Sequence, residues 1–309
     1  MIGEQDHGKL LRSYLREQGV SSALSARLKR TEDGMMLNGI RVTVRAVLTA
    51  GDVLDLAIEE RESPPHVVPR DIPVEALLET EDLLVVNKPA DMPTHPSHGH
   101  FEDTLANGLA YRYAVNGVSF RPHFINRLDR NTTGTVLVAR HALAASFLSD
   151  RMARGEIKKT YLALVRGRVD APFIIESGIR RRAESIIFRE VCPVGEGDYA
   201  KTEVEPLVWG EDFSLVRLIP YTGRTHQLRV HMASVGHSLL GDDLYGVVAG
   251  DMKRHALHAA SLTFPAPRTE KMTTVRAPLP ADMMEQMSKL GREAVMLAKK
   301  ECGQTGQKL

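Results

Sequence analysis

Hydrophobic positions near the N-terminus follow a helical period and then a strand period. A run of leucines with one tyrosine forms a helical stripe that ends at Gly19, and Leu24 and Leu28 lie one turn apart in a second run. Asn38-Gly39 separates two short apolar segments and is typical of a tight hairpin turn. The predicted elements are helices over 9–18 and 21–30 and strands over 35–37, 40–44 and 53–58.

A proline-rich segment, EERESPPHVVPRDIP at 59–73, interrupts this pattern and indicates a domain boundary. Beyond it, the hydrophobic runs predict many strands and few helices, as in an α+β domain built on a largely antiparallel mixed sheet. The predicted strands cover 83–87, 135–139, 159–165, 203–209 and 213–219, and the predicted helices cover 103–113, 142–154, 225–235 and 281–300. The chain is thus divided into a small αβ domain at 1–60, a linker at 61–73, a large domain at 74–300 and a tail at 301–309.

Composition changes this picture little. The 309 residues are 43% hydrophobic and 26% charged, as in an ordinary globular protein. Cys192 and Cys302 lie far apart in sequence and suggest no disulfide framework, so we expect a reducing, cytoplasmic location. The polar first twelve residues do not resemble a signal peptide, and no apolar run is long enough to span a membrane. We expect a monomer.

Positive charge is concentrated in two stretches, which the net charge of +1 conceals. Residues 9–45 hold eight Lys or Arg against three Asp or Glu, and residues 121–168 hold ten against three. Such stretches favour a polyanionic partner, although solvated helix faces give the same counts.

One acidic residue stands out in the segment RPHFINRLDRNTTGTVLVAR at 121–140. Asp129 lies between arginines, in a loop that precedes an apolar strand. Nearby cations keep a carboxylate ionised, and a fixed, ionised Asp serves as a nucleophile, a base or a metal ligand. Spacing alone favours a plainer interpretation, in which Asp129 forms a structural ion pair.

Two further segments carry candidate chemistry. In KKTYLALVRG at 158–167, Tyr161 begins an apolar strand among basic residues, where it either stacks on a base or packs in the core. In YTGRTHQLRVHMASVGHSLLGDDLYG at 221–246, polar groups precede a predicted helix whose N-terminus suits a phosphate or a carboxylate. Thr225 and Arg229 would lie on the polar side of this helix, and Leu228 on its apolar side.

Together these segments resemble the RluA-type family of pseudouridine synthases. The matching motifs are LLVVNKP at 83–89, RLD at 127–129, KTYLALVRG at 159–167 and GRTHQLRVH at 223–231. They follow the family's order over about residues 70–285, and a match in several parts is more specific than any one motif. The resemblance implies an RNA pseudouridine synthase, an isomerase that needs no cofactor and no metal.

The resemblance also implies a role for each matched residue. Asp129 would be the nucleophile, and Arg229 would pair with it and hold its carboxylate in place. Tyr161 would pack against the target base, and Leu228 would form part of the apolar floor under it. Arg127 would help to fill the gap that a flipped nucleotide leaves in the RNA.

Three positions complete this comparison. Arg224 is assigned to the surroundings of the site. Asn126 stands where the family often has His, and Thr133 stands where Ser is common. Asn does not titrate, but the implied chemistry requires only Asp129 and its partners, so we interpret Asn126 as structural.

The implied reaction breaks the N1–C1′ bond of uridine, turns the base and joins C5 to C1′, after the uridine has been flipped into the pocket. The sequence does not decide whether Asp129 attacks the base or C1′. The expected substrate is structured RNA, with large-subunit ribosomal RNA as the leading candidate and transfer RNA as the alternative.

The N-terminal domain resembles a small RNA-binding module of a ribosomal small-subunit protein, the S-four-like domain. The resemblance covers residues 9–58, where LNGIRVTVRAVLTAGDVLDLAI follows the two predicted helices. It implies RNA contacts by the basic residues of those helices, namely Arg12, Arg16, Arg27, Lys29 and Arg30.

Two other functions remain open at this point. The first is a non-catalytic RNA-binding or ribosome-assembly protein that has the same fold. The second is a metal-dependent hydrolase. Its candidate ligands do not have the sequence spacing of a known metal-ligand set, so structural roles in loops are the favoured interpretation of these residues. Its candidate ligands are His95, His98, His100, Asp242 and Asp243.

Overall fold

The structure, a computed structural model, describes residues 1–58, 67–118, 120–246 and 252–304. The expected linker at 61–73 and the expected tail at 301–309 therefore lie partly outside the described residues. The described strands form one sheet of three strands and one of eleven. None of the described helices is long and apolar enough to cross a membrane.

The small N-terminal unit has the element order that the sequence predicts. After a 3-10 turn at Glu4–Asp6, it contains α1 (Leu11–Glu17), α2 (Ser22–Arg30), β1 (Met35–Leu37), β2 (Ile40–Arg41) and β3 (Leu54–Leu56). Ser21 caps α2 by accepting a hydrogen bond from the amide of Leu24. Asn38 and Gly39 have φ of 52° and 77°, as the tight turn between β1 and β2 requires. The helices match the prediction, and β2 and β3 are shorter than predicted.

The larger unit is built on the eleven-stranded sheet. Its strands are β4 (Glu75–Glu79), β5 (Leu83–Lys88), β6 (His123–Phe124), β7 (Thr133–Ala139), β8 (Lys158–Arg166), β9 (Phe173–Arg181), β10 (Arg189–Cys192), β11 (Asp198–Trp209), β12 (Phe213–Pro220), β13 (Leu257–Pro265) and β14 (Met272–Arg276). The order is β10-β9-β11-β12-β8-β13-β7-β5-β4, with β14 paired to β13 and β6 paired to β7. The pairs are antiparallel except β13 with β7, so the predicted α+β class with a largely antiparallel mixed sheet is confirmed.

Both faces of the central strands are covered. The helices are α3 (Leu105–Ala114), α4 (Ala142–Ala153), α5 (Gln227–Ser234), α6 (Ala281–Ser288) and α7 (Arg292–Glu301). Side chains alternate along β8, so Tyr161 and Ala163 join one core cluster together with Leu228 of α5. Leu162 and Leu164 point to the other face, where α6 and α7 pack. This alternation places Tyr161 and α5 on the same side of the sheet.

Two predicted helices need correction. The single helix expected over 281–300 is wrong, because α6 ends at Ser288 and Gly291 precedes α7 with φ of 100°. The break lets both helices place buried residues in the same core cluster, such as Met287 and Ala294. The helix expected over 225–235 begins at Gln227, because His226 adopts a left-handed conformation with φ of 57°.

The N-terminal unit contacts the larger unit through α4. The Ser146 hydroxyl donates to the carbonyl of Gly19 at 2.6 Å and accepts from the amide of Ser21 at 2.8 Å. Ala142 and Leu143 of α4 pack against the apolar core of the N-terminal unit. The two units therefore share an interface in which α4 contributes to both.

Candidate functional site

Asp129 lies in the loop between β6 and β7, at a cleft of about 670 Å³. The cleft is bounded by this loop, by the start of β8 and by the segment that leads into α5. The Asp129 side chain is 31% exposed, so it is open to the cleft without being fully solvated. The Thr132 amide donates to the Asp129 carbonyl at 3.0 Å and closes a turn around the aspartate.

Arg229 is the cation that faces Asp129. Its side chain is 5% exposed, and its Nη1 lies 3.9 Å from Oδ2 of Asp129. The other nitrogens bind Asp242, with Nε 2.8 Å from Oδ2 and Nη2 2.6 Å from Oδ1. The guanidinium is thus held from one side in a bidentate pair and directs its remaining nitrogen towards Asp129.

Asp242 is fully buried and has further partners, since the amides of Leu244 and Tyr245 each donate to Oδ1 at 3.0 Å. Burial would raise the pKa of Asp242, but Arg229 and the two amides outweigh it and hold the pKa below its usual range. Asp242 is therefore a carboxylate that fixes Arg229, a role that the sequence did not reveal.

The ion pair expected between Arg229 and Asp129 is present at 3.9 Å, and one other expectation about this segment is corrected. Arg229 makes its closest ion pair with Asp242, and it approaches Asp129 only at the limit of ionic contact. Arg229 is also buried, and Thr225 precedes α5, so these two residues do not share a solvated helix face. Because His226 is left-handed, the helix begins at Gln227 and leaves Thr225 outside it, while buried Asp242 binds the Arg229 side chain.

Apolar side chains line the cleft beside Asp129. Tyr161 and Leu228 are 8% and 6% exposed, and both contribute to its wall. Burial, together with the charge of Asp129, raises the pKa of Tyr161 above its usual range. The phenol therefore stays protonated, and Tyr161 acts as a neutral aromatic surface.

Lys88, at the end of β5, supports the Asp129 loop through hydrogen bonds to main-chain carbonyls. Its ammonium is fully buried and donates to three main-chain carbonyls, those of Pro89 at 2.8 Å, Met92 at 2.7 Å and Arg130 at 2.9 Å. Burial lowers the pKa of Lys88 to about 7, and the nearby charge of Asp129 opposes this shift. The lysine of LLVVNKP thus joins the loop after β5 to the residue that follows Asp129.

Two buried histidines hold the hydroxyl groups that follow Asp129. Thr132 Oγ1 lies 2.8 Å from Nε2 of His255, and Thr133 Oγ1 lies 2.9 Å from Nδ1 of His258. Burial lowers the pKa of His255 to about 3 and that of His258 to about 4, so both rings are neutral near pH 7. The Asp129 turn is therefore tied to β13 and to the segment before it.

Arg254 extends this support to a helix. Its Nη1 donates to the carbonyl of Asn131 at 3.1 Å, and its Nε and Nη2 bind Asp282 of α6 at 2.7 and 2.9 Å. Successive main-chain and hydroxyl groups after Asp129 are thus held by buried side chains, which restricts the motion of the carboxylate.

Asn126 is structural in its contacts. Its amide nitrogen donates to the carbonyl of Thr135 at 3.2 Å, and its oxygen accepts from the amide of Leu137 at 2.7 Å. Both partners are main-chain groups of β7. The side chain therefore holds the Asp129 loop against the sheet, as the interpretation from the sequence had it.

Arg127 and Arg224 are exposed on the rim of the cleft. Within the described residues, Arg127 makes no hydrogen bond or ion pair, whereas Arg224 donates Nε to the carbonyl of Tyr199 at 3.0 Å. Gln227 holds the loop around Arg224, because its Oε1 accepts from Thr222 Oγ1 at 2.7 Å and from the Arg224 amide at 3.0 Å.

The basic residues of the N-terminal helices are not equivalent. The exposed ones are Arg12, Arg16, Lys29 and Arg30. Arg27 is half-buried and donates to the carbonyls of Ala57 and Ile58, which makes it a support for the end of this unit as well as a cation. A broad groove between this unit and α4 is lined by several of these side chains together with Arg151 and Arg154.

The candidate metal ligands do not point towards one common position. His100 lies 2.5 Å from Asp103 and 3.1 Å from Arg130, the ring of His95 packs on Phe124, and His98 is exposed. Asp242 and Asp243 both contact Arg229. In the described part of the chain, no group of three or more His, Cys, Asp or Glu converges as a metal site would.

Comparisons with known proteins agree on one family. Residues 82–234 match the sequence profile of the RNA pseudouridylate synthase family. An uncharacterized RNA pseudouridine synthase of Bacillus subtilis, YjbO, is 37% identical over 274 residues, which are 88% of this chain and 96% of that protein. The ribosomal large subunit pseudouridine synthase D of Zymomonas mobilis is 38% identical over 240 residues, which are 71% of this chain and 74% of that protein.

A solved structure agrees with the sequence comparisons. The human RNA pseudouridylate synthase domain containing 1 protein superposes with a TM-score of 0.56 and 31% identity, over 67% of this chain and 84% of the human one.

Proposed function

The chain belongs to the RNA pseudouridylate synthase family, in its RluA-type branch, and from this membership we propose that it isomerises uridines of large-subunit ribosomal RNA with Asp129 as nucleophile. The family establishes the isomerase activity on RNA. The proposal of large-subunit RNA is supported by relatives whose names state that substrate, such as the Zymomonas mobilis enzyme.

The surroundings of Asp129 are the main support for assigning it as the nucleophile. Its carboxylate opens to the cleft, a guanidinium nitrogen of Arg229 lies 3.9 Å away, and apolar walls from Tyr161 and Leu228 stand beside it. A nearby cation keeps a carboxylate ionised, and apolar walls exclude the water that would compete for the reacting group.

In the proposed reaction, a uridine leaves its stack and enters the cleft with its base between Tyr161 and Leu228. Asp129 attacks either the base ring or C1′. The N1–C1′ bond breaks, the base turns, C5 joins C1′ and the bond to Asp129 is released. The proton of C5 is lost to solvent and N1 takes up a proton, so the product is an isomer of the substrate. Arg127 fills the space left in the RNA, and Arg224 lies at the entrance of the cleft.

The need to retain the detached base gives a reason for the side chains that hold the Asp129 loop in place. A free uracil that diffused away would leave a damaged RNA, so the nucleophile has to stay within bonding distance while the base turns. The contacts of Lys88, His255 and Arg254 with the Asp129 loop provide this constraint.

Mapping of pseudouridine in cellular RNA tests the substrate and the nucleophile together. A strain lacking the gene is compared with its parent and with strains that carry the wild-type gene or Asp129→Asn. We expect at least one pseudouridine of large-subunit ribosomal RNA to be lost and to return only with the wild-type gene. Loss from transfer RNA alone would refute the ribosomal substrate, and restoration by Asp129→Asn would refute the nucleophile.

We further propose that residues 1–60 form an RNA-binding domain of the S-four type, joined at 61–73 to the catalytic domain. Four exposed cations of its helices support this proposal, namely Arg12, Arg16, Lys29 and Arg30. Each phosphate contact contributes about 0.7–0.9 to the slope of log K against log salt.

Replacing these four residues with Gln should therefore weaken RNA binding at low salt and make the slope shallower by roughly 1–3 units. The matched control replaces four exposed cations outside these helices, namely Arg168, Arg276, Arg292 and Lys300, with Gln. Filter binding between 50 and 200 mM salt measures both. An unchanged slope in the fourfold variant would exclude RNA contacts by these helices.

A further inference from the structure

Lys159 is a buried cation in the wall of the same cleft. It lies on β8 two residues before Tyr161, so both side chains point to the same face of the sheet. The residue is 9% exposed, and it lines the cleft together with Asp129 and Arg229. Its Nζ donates to the carbonyl of Thr222 at 3.2 Å, in the loop that forms the rim.

The hydrogen bonds of Lys159 are incomplete. An ammonium group has three donors, and the Thr222 carbonyl is the one acceptor that Nζ reaches among the described residues. No carboxylate of the described residues lies within ion-pair distance of it. Burial lowers the pKa of Lys159, and no nearby negative charge offsets this effect.

Lys88 provides the internal comparison. It is also buried, and its three donors are matched by three carbonyls, as expected for a structural lysine. An unpaired buried ammonium is costly, so such groups are normally paired with an anion or fully hydrogen-bonded. In the protein alone, Lys159 has neither an anion nor a full set of hydrogen-bond acceptors, and a ligand bound in the cleft would supply them.

We propose that Lys159 binds a phosphate oxygen of the RNA backbone beside the flipped uridine. The inference rests on the proposed function, since it requires RNA in the cleft. A phosphodiester carries a full negative charge throughout the reaction, which a uracil carbonyl does not. Lys159 lies under the rim loop at Thr222 and Gly223, where the backbone would enter, while Asp129 and Leu228 lie where the base would react.

This contact differs in kind from those of the rim arginines. Arg127 and Arg224 are solvated, so their attraction to phosphate is weakened by water and salt. Lys159 is desolvated before RNA arrives and therefore pays little additional desolvation when it pairs with a phosphate. Its position between rim and floor fixes how far the nucleotide enters the cleft.

The test uses the full-length protein with Lys159→Met and Lys159→Arg. The control is Lys158→Met, which removes the neighbouring exposed lysine from the opposite face of β8. Dissociation constants are measured between 50 and 200 mM salt with a large-subunit ribosomal RNA transcript that carries tritium at C5 of uridine. Tritium release from the same transcript, under single-turnover conditions at saturating enzyme, gives the rate.

We expect Lys159→Met to weaken binding about tenfold at low salt and to make the salt slope shallower by about 0.7–0.9, with a smaller effect on the saturating rate. Lys159→Arg should restore the slope, and Lys158→Met should stay within about twofold of the wild type. Thermal stability of Lys159→Met should be unchanged or higher, because an unpaired buried charge has been replaced by an apolar group.

Two results would overturn the proposal. A lower saturating rate with an unchanged salt slope would assign Lys159 to the uracil ring. A lower melting temperature with unchanged binding would make the lysine structural. If the wild-type protein releases no tritium, the proposed function itself fails, so the two failures are distinguishable.

Discussion

At the scale of single residues, Asp242 decides where Arg229 points. It binds two of the three guanidinium nitrogens and is itself held by two main-chain amides. Asp243, the next residue, also contacts Arg229 at 3.1 Å, but its side chain is 65% exposed. The two neighbours therefore differ in burial and in geometry, which makes them a matched pair for mutagenesis.

We predict that Asp242→Asn lowers the single-turnover rate by about 10–100-fold, because loss of a buried charge partner leaves the Arg229 guanidinium without the group that fixes its position. The released guanidinium would then bind Asp129 directly or move away from it, and either change displaces the nucleophile. Asp243→Asn should stay within about threefold of the wild type, because the Asp243 side chain is largely exposed and its pair with Arg229 is weakened by solvent. Equal effects of the two substitutions would contradict the assigned role of Asp242.

The sequence identified the side chains that face the cleft better than those that support them. Asp129, Tyr161, Leu228 and Arg229 lie in motifs, and the structure brings them together. The supporting residues were missed because their partners are remote in sequence, as His255 is from Thr132. A buried lysine or histidine has no local pattern that separates it from a solvated one.

At the scale of elements, the least predictable region was the C-terminal pair of helices. The methionine-rich pattern over 281–300 continues through Gly291, and only the backbone reveals the break. Strands β9 and β13 also escaped prediction. FIIESGIRR mixes charges and a glycine into its alternation, and LHAASLTFP is buried on both faces and so lacks alternation.

Gly291 adopts φ of 100° and ψ of 171°, a conformation open essentially only to glycine. We predict that Gly291→Ala lowers the free energy of unfolding by about 1–3 kcal/mol through backbone strain, since no atom lies near enough to clash with the new methyl group. Glu293→Ala, an exposed change in the first turn of α7, should cost less than about 0.5 kcal/mol. Urea denaturation measures both, and an unaltered midpoint for Gly291→Ala would show that the break carries no strain.

At the scale of the whole molecule, buried neutral histidines govern the response to acid. Burial lowers the pKa of His231 to about 4, that of His255 to about 3 and that of His258 to about 4. The unfolded chain takes up these protons below about pH 6.5, whereas the folded chain does not until about pH 4. Stability is therefore fully present above pH 6.5 and decreases as the pH falls towards 4.

We predict that the free energy of unfolding falls between pH 6.5 and 5 by up to about 1.4 kcal/mol per pH unit for each of these histidines. His258→Gln should reduce the slope of unfolding free energy against pH by the contribution of one buried histidine. His98→Gln, at an exposed position, should leave the slope unchanged. Urea titrations at pH 7, 6 and 5 give the slope. A flat profile would mean that these rings take up protons in the folded protein as readily as in the unfolded chain.

Tritium release from C5-labelled uridine in large-subunit ribosomal RNA tests most directly whether Asp129 is the nucleophile of an RNA pseudouridine synthase. Asp129→Asn keeps the shape of the side chain but removes its charge, and Asp150→Asn is the control at an exposed site on α4. The assignment of Asp129 as nucleophile predicts no release above background for Asp129→Asn, with binding of RNA retained, and a wild-type rate for Asp150→Asn. Release by Asp129→Asn at the wild-type rate would contradict it.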